Sequence, residues 1–556
     1  MIEELSAAGS LLKSALERYY DACSKVELYC RTNDLTTATS DRISSELLLL
    51  ETFAKILNKA KLSINYSRNS SRYIVPINIL PPEILIHIIS LAVALGHKAC
   101  KKHKIPYCYN PVHLQHISMA SVCTRWRNLV LQCPAFWSRI DLVHVHDSRR
   151  ELIPRAKFWA ERIGSFPLDV RVAVDSHGLL NDGVLQDFPS SISGRHNLGS
   201  ISFILQGVGR VNEGNLFTKY LSGWAPGTLQ KLVIERTRSS PHYLLVKSIH
   251  NTQQQDSSSC LLIDLSHEYL EALWKPIVTL RLHGLYIDWG SQAYHGLVEL
   301  CLLSDRNGSE MITISESQLQ KVLMSSPGLR IFRFGIEITA DVGRMLQAGD
   351  SVSPVQLNDL QILDLDFGAL ARSPLQHLLR WVGPGSKPLM LLLPRSYVVR
   401  PETDLFSRNK SEIHDFLIRA KVTKLYLYTR TPTLDWLFVS TPYLRTLAVG
   451  FKFPWGSAIE SQVEFFSSIP HGGLDELYIL ASELEIDRFY QWLAGFPPIR
   501  TLVFWRCEFL SGGRNRSSAD SLHLRPLNIN SEVLIIPDES PDPTSAWQAS
   551  PYGYNY

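Results

Sequence analysis

The chain has 556 residues, of which 45% are hydrophobic and 20% are charged, the proportions of an ordinary globular protein. Its formal net charge of +3 is too small for binding to nucleic acid along its whole length. No segment approaches the roughly 18 uninterrupted apolar residues of a membrane-spanning helix. We therefore expect neither a nucleic acid nor a membrane as partner, and the length predicts several domains or one long solenoid.

The cysteines and the first residues indicate the compartment. Nine cysteines, an odd number spread widely along the chain, do not have the spacing of a disulfide framework. The opening MIEELSAAGSLLKSALE has acidic residues where a secretory signal has positive charge. We expect an intracellular protein of the cytoplasm or the nucleus.

Two heptad patterns occupy residues 1–66, and each predicts an amphipathic helix with one apolar seam. The polar stretch TNDLTTATSD between them favours an antiparallel hairpin. Self-association through these seams is the alternative, which the short runs and the seam position of Lys61 disfavour. The seam residues are Leu5, Leu12, Leu16, Tyr19, Cys23, Val26 and Cys30 in the first run, and Ile43, Leu47, Leu50, Ala54, Leu57 and Ile64 in the second.

A double proline opens the next element, in INILPPEILIHIISLA at residues 77–92. Proline suits the first turn of a helix, where its missing N–H would have no partner, and Glu83 suits the positive end of the helix dipole. The residues Ile84, Leu85, Ile88 and Ile89 then form one wide apolar face. The residues alone are also compatible with an ordinary core helix.

An insert, residues 96–113, separates this helix from two further short amphipathic helices, the second of which ends before Pro134. The insert region contains several metal-ligating side chains, but their spacing does not match a defined zinc finger. We predict no metal there and interpret the insert as a solvated basic loop. The side chains in question are His97, Cys100, His103, Cys108, His113 and His116.

The order of motifs across these helices resembles an F-box. It is most similar to the large fungal F-box-like families, which close with a Pro-x-x-Trp-Ser-x-Ile run and continue into a helix and a strand similar to residues 155–174. The matching motifs are Leu-Pro-Pro-Glu-Ile at 80–84, Val122-Cys123, Arg125-Trp126, Pro134 and Phe136-Trp137.

The resemblance implies three short helices over residues 74–142 that dock onto the Skp-type adaptor of a cullin–RING ubiquitin ligase. By that likeness Trp126 and Trp137 hold the small domain together. Because so small a helical domain buries little surface by itself, its exposed apolar face is expected to need a partner. The residues implied at the adaptor surface are Leu80, Pro81, Ile84 and Val122.

A pattern typical of the strand in a leucine-rich repeat, apolar-x-x-apolar-x-apolar, recurs ten times in the rest of the chain. Helical stretches lie between several of the matches, so residues 155–510 predict an irregular leucine-rich-repeat solenoid. The predicted fold class is therefore α/β: a helical hairpin and a three-helix F-box, followed by this solenoid. The ten segments begin at residues 198, 229, 277, 297, 329, 360, 422, 444, 474 and 499.

Strand alternation predicts which side chains lie opposite the buried ones. On that face we expect charged residues in the middle repeats and exposed aromatic residues in the later ones, a combination typical of a protein-binding surface. The alternative is that loops or the C-terminal segment cover these rings. We predict a mostly disordered tail at 511–556, with one strand-like stretch at 531–537. The aromatic residues are Tyr426, Tyr428, Tyr478 and Trp505.

The sequence contains no recognisable catalytic motif. Gly383 to Lys387 lacks the spacing of a phosphate loop, and the pair Asp364 and Asp366 has no partner motif. We therefore predict a non-enzyme without cofactors. The leading hypothesis is a substrate-recognition subunit of a Skp–cullin–F-box ligase that holds an unknown target protein. The alternative is a leucine-rich-repeat scaffold that works outside a ligase.

Overall fold

A computed structural model gives the structure of the chain, which divides into two compact units. The first unit comprises Met1–Ile89 and Met119–Leu129, and the second comprises Ser90–Ser118 and Val130–Tyr556. The residues that the structure describes are 2–33, 36–70, 73, 75–100, 115–143, 149–175, 196–206, 210–237, 244–248, 260–304, 312–339, 354–365, 376–393, 410–429, 435–451, 473–485, 489, 492–493, 496–511, 515–518, 532–540, 542–544 and 547.

Helices occupy the N-terminal part of the chain, at the places where the apolar periodicity predicts them. Helix α3 begins at the double proline, and α5 ends two residues before Pro134. Their bounds are α1 Ile2–Thr32, α2 Thr37–Ser70, α3 Pro82–Cys100, α4 Gln115–Ala120 and α5 Thr124–Gln132, with a 3₁₀ turn at Pro76–Ile79.

The two long helices α1 and α2 fold back on each other. The hydroxyl of Tyr19 donates a hydrogen bond to Oε2 of Glu46 across a distance of 3.0 Å, although 27 positions separate these residues. However, no residue of α1 is buried. The chain therefore reverses direction between α1 and α2, but two helices alone cannot enclose a core.

A single 14-stranded sheet fills most of the second unit, and every neighbouring pair of strands in it is parallel. The strands follow one another in chain order from one edge to the other. They are β1 Arg139–Val143, β2 Leu168–Asp175, β3 Leu198–Gln206, β4 Lys231–Thr237, β5 Thr279–His283, β6 Glu299–Leu303, β7 Ile331–Gly335, β8 Ile362–Leu365, β9 Leu389–Leu392, β10 Val422–Thr429, β11 Thr446–Phe451, β12 Leu474–Leu480, β13 Ile499–Trp505 and β14 Glu532–Ile536.

Shorter elements connect these strands. The helices are α6 Arg149–Ile163, α7 Arg210–Leu221, α8 His267–Trp274, α9 Glu316–Met324, α10 Gln376–Leu379, α11 Lys410–Arg419 and α12 Asp435–Ser440, with 3₁₀ turns at Pro134–Phe136 and Gln292–Tyr294. Four small sheets join Leu244–Ser248 with Cys260–Ile263 and Leu285–Ile287, Thr313–Ser315 with Glu337–Thr339, Val355–Leu357 with Val382–Pro384, and Glu483–Glu485 with Glu508–Ser511 and Asn515–Ser518.

One face of the large sheet is the core face. Its side chains form two apolar ladders that cross the strands, and in the middle of one ladder Leu280 pairs with Leu300 and Leu300 with Phe332. These side chains are fully buried, and helices cover them: the ring of Phe217 in α7 lies 4.4 Å from that of Phe203 in β3. All ten segments that the repeat pattern predicts contain strands of this sheet.

Tight turns let the chain leave the strands. Gly284 follows β5 with a φ of +73°, and a Cβ atom there would lie 2.5 Å from the carbonyl oxygen of Arg236. A residue with a side chain would therefore meet both backbone strain and a collision. At the start of α9, Ser315 and Gln318 form a reciprocal capping box, as the sequence of a helix start predicts.

Candidate functional site

The first candidate surface lies at the start of α3. The N–H of Leu85 donates to the carbonyl of Pro81 over 3.1 Å, so the double proline opens the helix without an orphan donor. The apolar face of α3 is partly buried and partly exposed to solvent. Leu85 and Ile89 are fully buried, whereas Ile84 is 47% exposed and its neighbour one turn later, Ile88, is also exposed.

The side chain of Arg125 connects α5 to the turn before α3. Its guanidinium donates to the carbonyl of Leu80 over 2.6 Å and also to the carbonyl of Asn78. A planar guanidinium suits this task because it can serve two acceptors at once. This role of Arg125 is not evident from the sequence, in which the residue is only part of the Arg125-Trp126 motif.

The four residues that the resemblance implied at an adaptor surface all lie in the first unit. Leu80 is half-buried, whereas Pro81, Ile84 and Val122 are exposed, Val122 to 56%. We call Ile84, Ile88 and Val122 the helix patch. Ile84 and Ile88 lie on α3, and Val122 lies in the turn between α4 and α5, so the patch consists of three exposed aliphatic side chains of the first unit.

Two further expectations about this region concern packing and metal. Trp137 is buried, donates its indole N–H to the carbonyl of Val130 over 2.9 Å, and meets His116 edge-on at 5.0 Å. Trp126 is half-buried. Residues 101–114 and the side chains of His97 and Cys100 lie outside the described residues. Within the described ranges, no group of His, Cys, Asp and Glu could hold a metal ion.

The second candidate surface is the face of the large sheet opposite the two ladders, which we call the open face. Its middle strands carry ion pairs. Nε of Arg281 lies 2.7 Å from Oε1 of Glu299, and the buried Arg333 lies 4.0 Å from Asp364. Burial lowers the pKa of Arg281, but the hydrogen bond and the charge of Glu299 outweigh it and raise that pKa overall. This part of the face is charged.

Cys301 lies on the open face between these two arginines. In the register of the sheet it pairs with Arg281 on one side and with Arg333 on the other. Burial nevertheless raises the pKa of the Cys301 thiol to about 12. The thiol therefore stays protonated near neutral pH and is not an activated nucleophile, in spite of its cationic neighbours.

The later strands of the open face carry aromatic residues, and the C-terminal segment, which we define as residues 537–547, covers part of them. Tyr426 and Trp505 are buried in a cluster with Trp547. The indole N–H of Trp505 donates to the carbonyl of Ser540 over 3.0 Å, and the rings of Tyr478 and Trp547 meet edge-on at 5.4 Å. This segment belongs to the region that the sequence analysis predicted as mostly disordered.

The expected exposure of the aromatic residues is thus wrong for Tyr426 and Trp505. Alternation correctly assigns these rings to the open face, but it carries no information on what covers that face. Tyr478 remains half-buried, and the side chain of Tyr428 lies outside the described residues. The strand-like stretch at 531–537 is β14, which pairs with β13 at the edge of the sheet.

Comparisons with known proteins leave the function open. No protein-family model matches the chain, and no curated protein matches it. In the part of the chain that the structure describes, no helix combines the length and the apolar character needed to cross a bilayer.

Proposed function

We propose that this chain is the substrate-recognition subunit of a Skp–cullin–F-box ubiquitin ligase. In this proposal α3, α4 and α5 are the F-box, which binds the Skp-type adaptor through Leu80, Pro81, Ile84 and Val122. The parallel strands and their connecting helices are an irregular leucine-rich-repeat solenoid, which holds a target protein. No residue of the chain performs covalent chemistry.

The observation that carries the proposal is the helix patch. Burying the exposed half of each of its three side chains would contribute about 1 kcal/mol apiece to an adaptor complex. Arg125 supports this surface because it fixes the segment that contains Leu80 and Pro81 against the start of α5. The apolar patch therefore rests on a fixed backbone, which lowers the entropic cost of binding.

The large sheet supports the second half of the proposal. Fourteen parallel strands, spaced about 4.8 Å apart, extend for roughly 60 Å. The target would bind along the part of the open face that the C-terminal segment does not cover. The ligase subunit would then act by proximity, because it raises the effective concentration of target lysines near the ubiquitin-charged enzyme.

Co-purification tests the proposal. The full chain should bind a Skp-type adaptor and, through it, a cullin. We expect Ile84→Asp with Val122→Asp to abolish adaptor binding without loss of the melting temperature, because both side chains are exposed. Leu80→Ala with Pro81→Ala should weaken it. The control is Ile418→Asp, which places the same charge on an exposed isoleucine of α11.

Adaptor binding by the double aspartate variant at the level of the original chain would refute the assignment of this surface. Failure of the original chain to bind any Skp-type adaptor would refute the ligase function itself. A scaffold that works outside a ligase is the second candidate, favoured by the apolar residues along α1 and α2, which adaptor docking does not require. It predicts adaptor binding without cullin.

A further inference from the structure

The two N-terminal helices keep their heptad seams accessible to solvent. Although α1 and α2 fold back through Tyr19 and Glu46, eight of the nine large aliphatic residues of the seams remain exposed, and the ninth, Ile43, is half-buried. A monomeric protein rarely leaves so many aliphatic side chains in continuous rows uncovered. The exposed seam residues are Leu5, Leu12, Leu16 and Val26 in α1, and Leu47, Leu50, Leu57 and Ile64 in α2.

We propose that α1 and α2 are a homodimerisation surface and that a second copy of this chain covers the seams. The seam is the stripe that a coiled coil requires, with apolar residues at alternating spacings of four and three. In a two-fold symmetric dimer the same surface of both copies meets at the axis. An apolar seam that can pack against a second copy of itself suits such an interface.

The area of the seams agrees with a stable dimer. Each of the eight exposed seam residues has about half of its surface accessible, on the order of 80 Å². Together they offer roughly 650 Å² per chain, so a dimer would bury about 1,300 Å² from these residues alone. Stable interfaces of standard size begin at about 1,200 Å². The seams therefore supply enough surface without help from other parts of the chain.

The charges of α2 indicate an antiparallel arrangement of the two copies. The first half of α2, residues 37–53, has three acidic side chains and one basic one, whereas residues 54–70 have four basic side chains and none that is acidic. An antiparallel pairing places each half of α2 beside the oppositely charged half of the second copy. The antiparallel pairing also places Lys61, the charged residue at a seam position, at the level of Glu46 of the second copy.

The test is the mass of the full chain in solution. We expect light scattering at micromolar concentrations to give about twice 62.9 kDa. Leu50→Glu with Leu57→Glu, on the seam, should weaken the dimer by about a hundredfold or more and give a monomer of unchanged melting temperature. A monomeric original chain overturns the proposal, and so does a double variant that remains fully dimeric.

A matched control separates the seam from unspecific apolar association. Leu48 and Leu62 lie off the seam on the same helix and are 65% and 68% exposed, more than the 38% of Leu50 and the 37% of Leu57. The double substitution Leu48→Glu with Leu62→Glu should leave the dimer intact. If both double variants dissociate the dimer equally, association does not depend on the seam positions. That result would contradict the proposed interface.

Cysteine cross-linking tests the antiparallel arrangement. Ala54 is the seam residue nearest to the middle of α2, so Ala54→Cys should form a disulfide between the two copies. Leu47→Cys should form none with itself, because the two-fold axis separates its two copies. Efficient linking by Leu47→Cys, above the level of the unmodified chain, would establish parallel helices and overturn this arrangement. The proposal does not depend on adaptor binding, so the two can fail separately.

Discussion

The C-terminal segment can be released by one substitution, Trp547→Ala. The indole of Trp547 is only 8% exposed, and it contacts Tyr478 edge-on while the ammonium group of Lys424 lies 5.4 Å from its centre. In two other contacts the segment accepts hydrogen bonds through backbone carbonyls. Ser540 accepts from the indole of Trp505, and Asp538 accepts from the guanidinium of Arg506. Trp547 is therefore its main apolar anchor.

The size of the effect follows from the burial of this indole. A tryptophan buries about 150–250 Å² of surface, which corresponds to about 4–6 kcal/mol at 25 cal/mol/Å². Loss of the indole should shift the equilibrium toward the released segment by about a thousandfold.

Hydrogen exchange is the assay. In Trp547→Ala we expect the amides of the C-terminal segment to lose their protection, and Trp505 to become accessible to a quencher of its fluorescence. The global melting temperature should change little, because the two apolar ladders on the opposite face do not include Trp547. Trp547→Phe should retain most of the protection, and Tyr443→Ala, at an exposed position, should have no effect.

Unchanged protection of the C-terminal segment in Trp547→Ala would refute this reasoning, because the indole would then not be the anchor. Cooperative unfolding of the whole chain in Trp547→Ala would also refute it, because the segment would then belong to the same folding unit as the ladders.

Two further predictions concern the stability of the buried ladder and the effect of pH on Tyr478. Phe332→Ala, in a fully buried ladder, should lower the free energy of unfolding by about 3–5 kcal/mol in denaturant titrations, whereas Val298→Ala at an exposed position should change it by less than about 0.5 kcal/mol. Burial, with the charge and the hydrogen bond of Glu476, raises the pKa of Tyr478 to about 12. The folded state then binds its proton more tightly than the unfolded state, so this residue should make stability fall as pH rises from about 10 to 12, an effect that Tyr478→Phe removes in melts at these pH values. A pH dependence unaltered in Tyr478→Phe would contradict the raised pKa, and a Phe332→Ala chain as stable as the original would contradict the buried ladder.

The large sheet could be predicted closely from the sequence. In the segments beginning at 277, 297 and 329, the apolar pattern alone assigned Leu280, Leu300 and Phe332 to the buried face, where the structure has them. The reason is that strand alternation is a local property with a period of two residues. The ten matches did not include four strands of the sheet, β1, β2, β9 and β14.

The cover of the open face could not be predicted. Trp547 and Tyr426 contact one cluster although 121 positions separate them, and nothing in the sequence near either residue signals the other. Their association depends on the course of the chain after β14, which no local pattern encodes. The same limit applies to Arg125, whose bonds to the carbonyls of Leu80 and Asn78 join segments about 45 residues apart.

The sequence by itself determined the elements of this protein and the side chains on each face of a strand or helix, because these follow from the repeating geometry of the backbone. It determined the apolar face of α3 and the seams of α1 and α2 in the same way. Only the tertiary structure decided which of those faces are covered. It buries Leu85 but exposes Ile84, it buries Tyr426 and Trp505 beneath the C-terminal segment, and it leaves the seams exposed. Burial depends on contacts between distant segments, and periodicity alone does not specify them.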